Sequence, residues 1–272
     1  MLWRAAMVVG AAATASCAPM PPAATRADRI VSIDYCADQM TLGLVDRDRI
    51  AAVSVDVASD PVFAGPRAEG LPKVRAEVER IIALRPTLVV RSYGGGPRIE
   101  GMLEQAGVRV FTLPYADNVG AVRDGVLAAG EALGANGTAR ARVAALDTAI
   151  AAAKPAGGQS ATALYMTPGD VTTGPGGLIA DLFAQAGYRP YETRGGWHRL
   201  PVERMIQDKP DLVVRAFFES KAYEQDRWAS AGHGVLDEQL RGVPSVTVAG
   251  ASLACGNWLA GDALTAIAGA RQ

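Results

Sequence analysis

Apolar residues fall along this chain in two kinds of stretch. Short runs of three to six, rich in Val and Ile, are bounded by turn formers: Arg29-Ile30-Val31-Ser32-Ile33, Ile50-Ala51-Ala52-Val53-Ser54, Leu88 to Arg91, Val108 to Leu113, Ala161 to Met166 and Ser245-Val246-Thr247-Val248. Runs of this length and composition predict strands buried on both faces. Between them, apolar residues recur at helical spacing, over Asp38 to Leu44, up to Leu84, Arg98 to Gln105, Leu178 to Gln185, near Trp228 and over Leu259 to Ala270. Strands alternating with helices predict parallel sheets covered by helices, an α/β fold. From Val119 to Ala153 the helical spacing continues, broken once at Gly134-Ala135-Asn136-Gly137. The second part, Thr138 to Ala153, has no strand within it and reads as one long helix, closed by Lys154-Pro155.

One segment occurs twice. Glu79-Arg80-Ile81-Ile82-Ala83-Leu84-Arg85-Pro86-Thr87-Leu88-Val89-Val90-Arg91 returns at a constant offset of 124 as Glu203-Arg204-Met205-Ile206-Gln207-Asp208-Lys209-Pro210-Asp211-Leu212-Val213-Val214-Arg215, with eight of thirteen positions identical. Each copy reads as the end of an amphipathic helix, a Pro stop and a buried strand. The duplication predicts two lobes of one design, each with a central parallel sheet flanked by helices, joined by the long helix. The boundaries follow: residues 29–136 for the first lobe, 137–155 for the connecting helix and 156–272 for the second lobe.

Composition narrows the setting. The 272 residues suffice for one large or two ordinary domains, and 27 Lys and Arg against 28 Asp and Glu give a net charge of −1. No nucleic-acid partner is implied by that balance. Met1 to Cys17 has one early positive charge and a short apolar core, the form of an export signal and too short to span a bilayer. Thr14-Ala15-Ser16-Cys17 resembles a bacterial lipobox with Cys17 as the acylated residue, although Thr14 stands where an aliphatic residue is usual; small-residue cleavage nearby would leave a soluble periplasmic protein. Residues 18–28, rich in Pro and Ala, read as a flexible tether. Cys36 and Cys255 remain. In an oxidising compartment they are a candidate disulfide, with free thiols or soft ligands as the alternatives.

The strand ends supply the binding candidates, because ligands of parallel sheets lie beyond the carboxyl ends of the strands. These are Tyr35 after the first strand; Arg91 and Tyr93 after one copy of the repeat; Arg215 and Phe217 after the other; Met166; Trp197 and His198 in a glycine-flanked loop; and Trp258. Loop aromatics suit a large, flat, partly apolar ligand, and two opposed arginines lean toward an anionic one. With only His198 and His233 present, no zinc-type cluster is expected, and no catalytic triad or dinucleotide motif is legible.

Two exported α/β lobes, a helical connector and the paired E-R-x-I-x-x-[RK]-P-x-L-V-V units resemble the periplasmic substrate-binding proteins of ABC importers for iron–siderophore complexes, haem and cobalamin. Cys36-Ala37-Asp38-Gln39 and the late Cys255-Gly256 resemble one proteobacterial branch of that family. The resemblance implies a monomeric, non-catalytic protein without a resident cofactor. It would hold a metal chelate or corrinoid between its lobes and present Glu79 and Glu203 to an inner-membrane permease dimer. The rival readings are a two-lobed extracytoplasmic enzyme and a ligand sensor that docks no permease.

Overall fold

The structure is a computed structural model that describes residues 28–155, 157, 161–217 and 238–271. The export signal, most of the tether, Cys17, the helix expected near Trp228 and His233 lie outside the described residues.

The chain runs β1 (Ile30–Ser32), α1 (Tyr35–Leu44), β2 (Ile50–Ser54), α2 (Ala64–Arg67), β3 (Lys73–Val74), α3 (Val78–Ala83), β4 (Leu88–Arg91), α4 (Ile99–Gln105), β5 (Arg109–Thr112), α5 (Val119–Ala132) and α6 (Asn136–Ala153). It continues β6 (Thr162–Met166), β7 (Val171–Thr173), α7 (Leu178–Gln185), β8 (Arg189–Pro190), β9 (Trp197–Arg199), α8 (Val202–Gln207), β10 (Leu212–Ala216), β11 (Ser245–Val248), α9 (Ala251–Ala254) and α10 (Ala260–Gly269). The first lobe holds a five-stranded parallel sheet in the order β3-β2-β1-β4-β5. The second holds a four-stranded parallel sheet, β11-β10-β6-β8, and an antiparallel ribbon, β7-β9.

The repeat maps onto equivalent elements: α3 and α8 differ in both bounds by the same offset of 124 that the sequence shows, and β4 and β10 follow. Both strands are flanked on either side in their sheets, so their Leu-Val-Val cores are buried on both faces, at 4% exposure or less.

Side chains on a strand alternate between faces, and this alternation builds the core. Ile30, Leu88 and Val90 of the first sheet and Ala163, Tyr165, Leu212 and Val214 of the second belong to one continuous cluster. Between the sheets that cluster is filled by α1, α5, α6, α7 and α10, through residues such as Met40, Val122, Leu146, Phe183 and Leu264. Alternate residues face outward. Val31, Val89 and Ile81 form a second cluster behind the first sheet; Leu164, Met166, Val213 and Met205 form a third behind the second. The two lobes thus share a helical layer.

The connecting helix α6 has 18 residues, about 27 Å of rise. It buries Ala139, Leu146, Ile150 and Ala153 on one stripe. Its Arg142 donates to the Gly43 carbonyl at 3.3–3.4 Å, tying the connector to α1. No described helix is long and apolar enough to cross a membrane.

Gly43 sits where that layer is tightest. A Cβ there would overlap the Trp258 ring, itself packed edge-on against Phe63 with ring centroids 6.1 Å apart. Gly43→Ala should therefore destabilise the fold by about 1–3 kcal/mol through overpacking, measured as a lower denaturation midpoint at unchanged slope.

Candidate functional site

A cavity of about 570 Å³ lies between the lobes, beyond the carboxyl ends of the strands. The first lobe contributes Met40 of α1, Ser92-Tyr93 after β4 and Leu113 to Ala116 after β5. The second contributes Thr173 of β7, Gly176 to Ile179 at the start of α7, Gly196-Trp197 and the segment Leu253 to Asn257. Among the described residues, no Asp, Glu, Lys, Arg or His lines it.

Tyr93 and Trp197 are positioned by buried chemistry. Asp34 is fully buried and caps α1 through Ala37 N–H at 2.9 Å. It also accepts from Ser92 N–H at 2.6 Å, Ser92 Oγ at 2.7 Å, Tyr93 N–H at 3.2 Å and Gly94 N–H at 2.9 Å. One carboxylate thereby fixes the loop that carries Tyr93, a strong charge-assisted arrangement. Gly94 is needed at this point, because a Cβ would strike the Ile33 carbonyl at 2.5 Å. Trp197 on β9 stands edge-on to the buried Tyr165, with centroids 5.8 Å apart at 70°. Tyr93, Tyr115 and Trp197 remain 59%, 84% and 63% exposed, so three large rings present open faces.

The back of the cavity is where the lobes are stapled. Cys36 of α1 and Cys255 are joined by a disulfide with Cα atoms 5.4 Å apart, closing 219 residues of sequence. Beside it, the buried Gln39 donates to Asp60 at 2.9 Å and to the Ala251 carbonyl at 3.2 Å. Its carbonyl accepts from Asn257 at 2.7 Å. Asp60 also accepts from Phe63 N–H at 2.8 Å, and Asn257 from Leu259 N–H at 2.9 Å. A satisfied buried network of this kind is costly to break in part. Gly256 lies so close to Ala116 that a Cβ would overlap that residue's own.

Of the residues expected to meet ligand, Tyr93 and Trp197 line the cavity. Arg91 does not: its guanidinium is buried and held by the Gly94 and Gly96 carbonyls at 3.2 and 3.1 Å and by Glu100 at 3.3 Å. Met166 is 1% exposed, in the cluster behind the second sheet. Trp258 is buried against Phe63, with the Arg142 guanidinium 5.2 Å from its ring centre. His198 neighbours Trp197 on a strand and so points to the other face, where Nε2 lies 3.2 Å from Glu192 Oε2. Tyr35, Arg215 and Phe217 also lie off the lining. Phe217 has φ +67 and packs on Gly250. Among the described residues no group of three or more His, Cys, Asp or Glu could hold a metal ion. Tyr115 was missed, although Pro114-Tyr115 follows β5 as Tyr93 follows β4, and the strand-end rule would have included it.

Two carboxyls have displaced proton affinities, and neither lines the cavity. Burial pushes Asp38 up to about 6, against hydrogen bonds from Ser32 and Ser54 that lower it. Burial would also raise Glu192, but bonds from Arg194, His198 and Thr193 outweigh it and hold it at about 2.

Glu79 and Glu203 are exposed in the first turns of α3 and α8. In βαβ order these helices run antiparallel to the strands, so their first turns lie toward the strand carboxyl ends, the side on which the cavity lies.

A family model described as periplasmic binding protein matches residues 30–227. No curated protein sequence matches the chain. Among solved structures, the periplasmic heme-binding protein RhuT from Roseiflexus sp. RS-1 in apo form is 20% identical, covers 91% of this chain and 100% of its own, and has a TM-score of 0.69. A periplasmic heme-binding protein from Pseudomonas aeruginosa is 23% identical, covers 89% and 92%, and has a TM-score of 0.62. The periplasmic vitamin B12-binding protein BtuF of Vibrio cholerae is 18% identical, covers 89% and 96%, and has a TM-score of 0.59. At these identities the likeness is one of fold.

Two outcomes follow from the site's chemistry. Asp38 binds its proton more tightly folded than unfolded, so its contribution is present below about pH 4 and is lost as pH rises through about 6. Asp38→Asn should remove that slope, on the order of 2–3 kcal/mol between pH 4 and 6, in denaturant titrations at stepped pH. Reduction of the Cys36–Cys255 bond should lower unfolding stability by about 2–4 kcal/mol, and a Cys36→Ser, Cys255→Ser protein should show no such response to reductant.

Proposed function

Because the chain belongs to the periplasmic binding protein family, we propose that it is the extracytoplasmic ligand-binding component of an ABC importer and that its cargo is a near-neutral metal complex of the corrinoid type. The observation that carries this reading is the lining of the interlobe cavity: aromatic and aliphatic, with no charged side chain among the described residues.

Charge decides between the candidate cargoes. A ferric catecholate or citrate complex brings negative charge, and enclosing it without a cationic partner is costly. The sequence leaned toward such a cargo on Arg91 and Arg215. Arg91 is spent on carbonyls and Glu100, and Arg215 does not line the cavity, so that leaning loses its support. Haem brings propionates and an iron that takes an axial His, Tyr, Cys or Met. His198 faces Glu192 on the far side of β9, and although Tyr93 and Tyr115 line the cavity, no described lining residue offers a cation to the propionates. A corrinoid has its metal already ligated within its own ring and a periphery of neutral amides. It offers flat apolar faces to rings such as Tyr93, Tyr115 and Trp197 and amides to Asn257. Vitamin B12-binding BtuF from Vibrio cholerae, alike in fold, is compatible with this reading.

In this reading the chain works outside the cytoplasm as a monomer. It is exported by residues 1–17 and is either free or anchored through Cys17. It delivers cargo by presenting Glu79 and Glu203 to the two halves of a permease dimer. Matched acids on two lobes suit a partner with two-fold symmetry.

Titration of the purified protein with cyanocobalamin, haemin and ferric catecholate, hydroxamate and citrate complexes tests the cargo. Cyanocobalamin should quench tryptophan fluorescence saturably at submicromolar concentration, and Trp197→Ala should weaken binding about tenfold or more. Saturable binding of a ferric chelate, with no response to cyanocobalamin, would replace this cargo.

A further inference from the structure

The duplicated segment holds more than its fold needs. Eight positions are identical between the copies. Four of them have a structural reason: Pro86 and Pro210 end the helices, Leu-Val-Val fills the buried strand in both lobes, and each of these residues is buried. The strand-end arginines Arg91 and Arg215 are both engaged, Arg91 with Glu100 of its own lobe. Arg80 pairs with Glu77 in the first lobe, while Arg204 lies 4.3 Å from the Tyr191 ring centre in the second. What the fold leaves unexplained is one acid and one isoleucine per copy: Glu79 with Ile82, and Glu203 with Ile206.

Both isoleucines are exposed, Ile82 at 36% and Ile206 at 59%, whereas their neighbours Ile81 and Met205 are at 0% and 1%. A single exposed apolar residue is ordinary on a protein surface. Two of them at repeat-equivalent positions, each three residues after an exposed acid, are a pattern. Positions i and i+3 share a helix face, so each lobe presents a carboxylate beside a branched apolar side chain on its outer helix. Ile81 and Met205 fix the rotation of α3 and α8 by packing into the clusters behind the two sheets, and so hold both pairs outward.

We propose that Ile82 and Ile206 are the apolar anchors of the docking surface, seated in two symmetry-related sockets of the permease dimer, each beside a basic residue that meets Glu79 or Glu203. This rests on the transporter reading above. The isoleucines supply affinity by leaving water, and the acids supply orientation and encounter rate. The partner this chemistry fits is a homodimer whose periplasmic face repeats one basic residue and one shallow apolar pocket.

The test uses the full mature chain, fluorescently labelled and without added ligand, bound to right-side-out inner-membrane vesicles from the cell that makes it. Inside-out vesicles serve as control. The variants are Ile82→Ser, Ile206→Ser, the double Ser variant, and Glu79→Gln with Glu203→Gln. Both isoleucines are exposed, so the Ser variants should melt like wild type and bind cyanocobalamin as wild type does. Each single Ser variant should weaken vesicle binding several-fold, and the double variant about tenfold or more. Wild-type vesicle binding by the double Ser variant, with binding lost in the Gln variant, overturns the role of the isoleucines and leaves the acids as docking residues. Unchanged binding in both overturns the docking surface itself, while the cyanocobalamin titration reports separately on the cargo.

Discussion

The structure depends on the buried staple between the lobes. Gln39 is fully buried, and its amide is spent on three partners: the Asp60 carboxylate, the Ala251 carbonyl and the Asn257 amide. Two of those partners come from the segment that follows the last strand of the second lobe. Within a few residues, the disulfide joins the same segment to α1 and Trp258 packs over Gly43. Pulling the lobes apart on this side would break the Gln39 bonds to the Ala251 carbonyl and the Asn257 amide together with the packing around them, while Asp60 keeps its partners within the first lobe. The long helix and the shared helical layer add packing to the same restraint. The cavity is therefore preformed, with one wall immobilised by covalent and hydrogen-bonded links and the opposite rim carried by Tyr93, Tyr115 and Trp197.

A preformed cavity whose described lining carries no charged side chain changes what would select a ligand. Binding to an open hinge protein draws on closure energy. In the proposed reading, shape, aromatic area and a described lining without charge do the discriminating, and they disfavour anions. Among the described residues, the charges nearest the site are kept off the lining. Asp34 organises the Tyr93 loop from beneath, Asp38 lies among serines, Arg91 braces the turn after β4, and Glu192 gathers the loop before β9. Asp34, Arg91 and Glu192 act on the site through backbone that they hold in place. The same rigidity would serve the proposed docking surface, because α3 and α8 on lobes of fixed separation could meet a two-fold partner without an ordering cost.

The duplicated segment made the fold legible. Its Pro stops and Leu-Val-Val runs name α3, β4, α8 and β10, the strand-end rule points to the loop that carries Tyr93, and the flanking glycines single out Trp197. What it could not locate is instructive. Arg91 read as a ligand-facing cation because nothing in the sequence shows Gly94 and Gly96 folding their carbonyls back over it. The ribbon β7-β9 is too short to show alternation, so Trp197 and His198 read as a loop pair. As strand neighbours they face opposite ways, one to the cavity and one to Glu192. Met166 and Trp258 read as exposed strand-end residues, yet burial turns both into core. Tyr115 was accessible to the same rule and overlooked, since its loop carries no repeat partner.

The central claim is a cavity held open and rigid between stapled lobes. It is tested most directly by the distance between the lobes in solution. Spin labels at Ala83→Cys and Gln207→Cys, exposed and repeat-equivalent on α3 and α8, report that distance by pulsed dipolar spectroscopy. The account predicts one narrow distribution whose mean moves by less than about 2 Å when cyanocobalamin is added. A broad distribution that collapses to a shorter distance on addition would show hinge closure and contradict it.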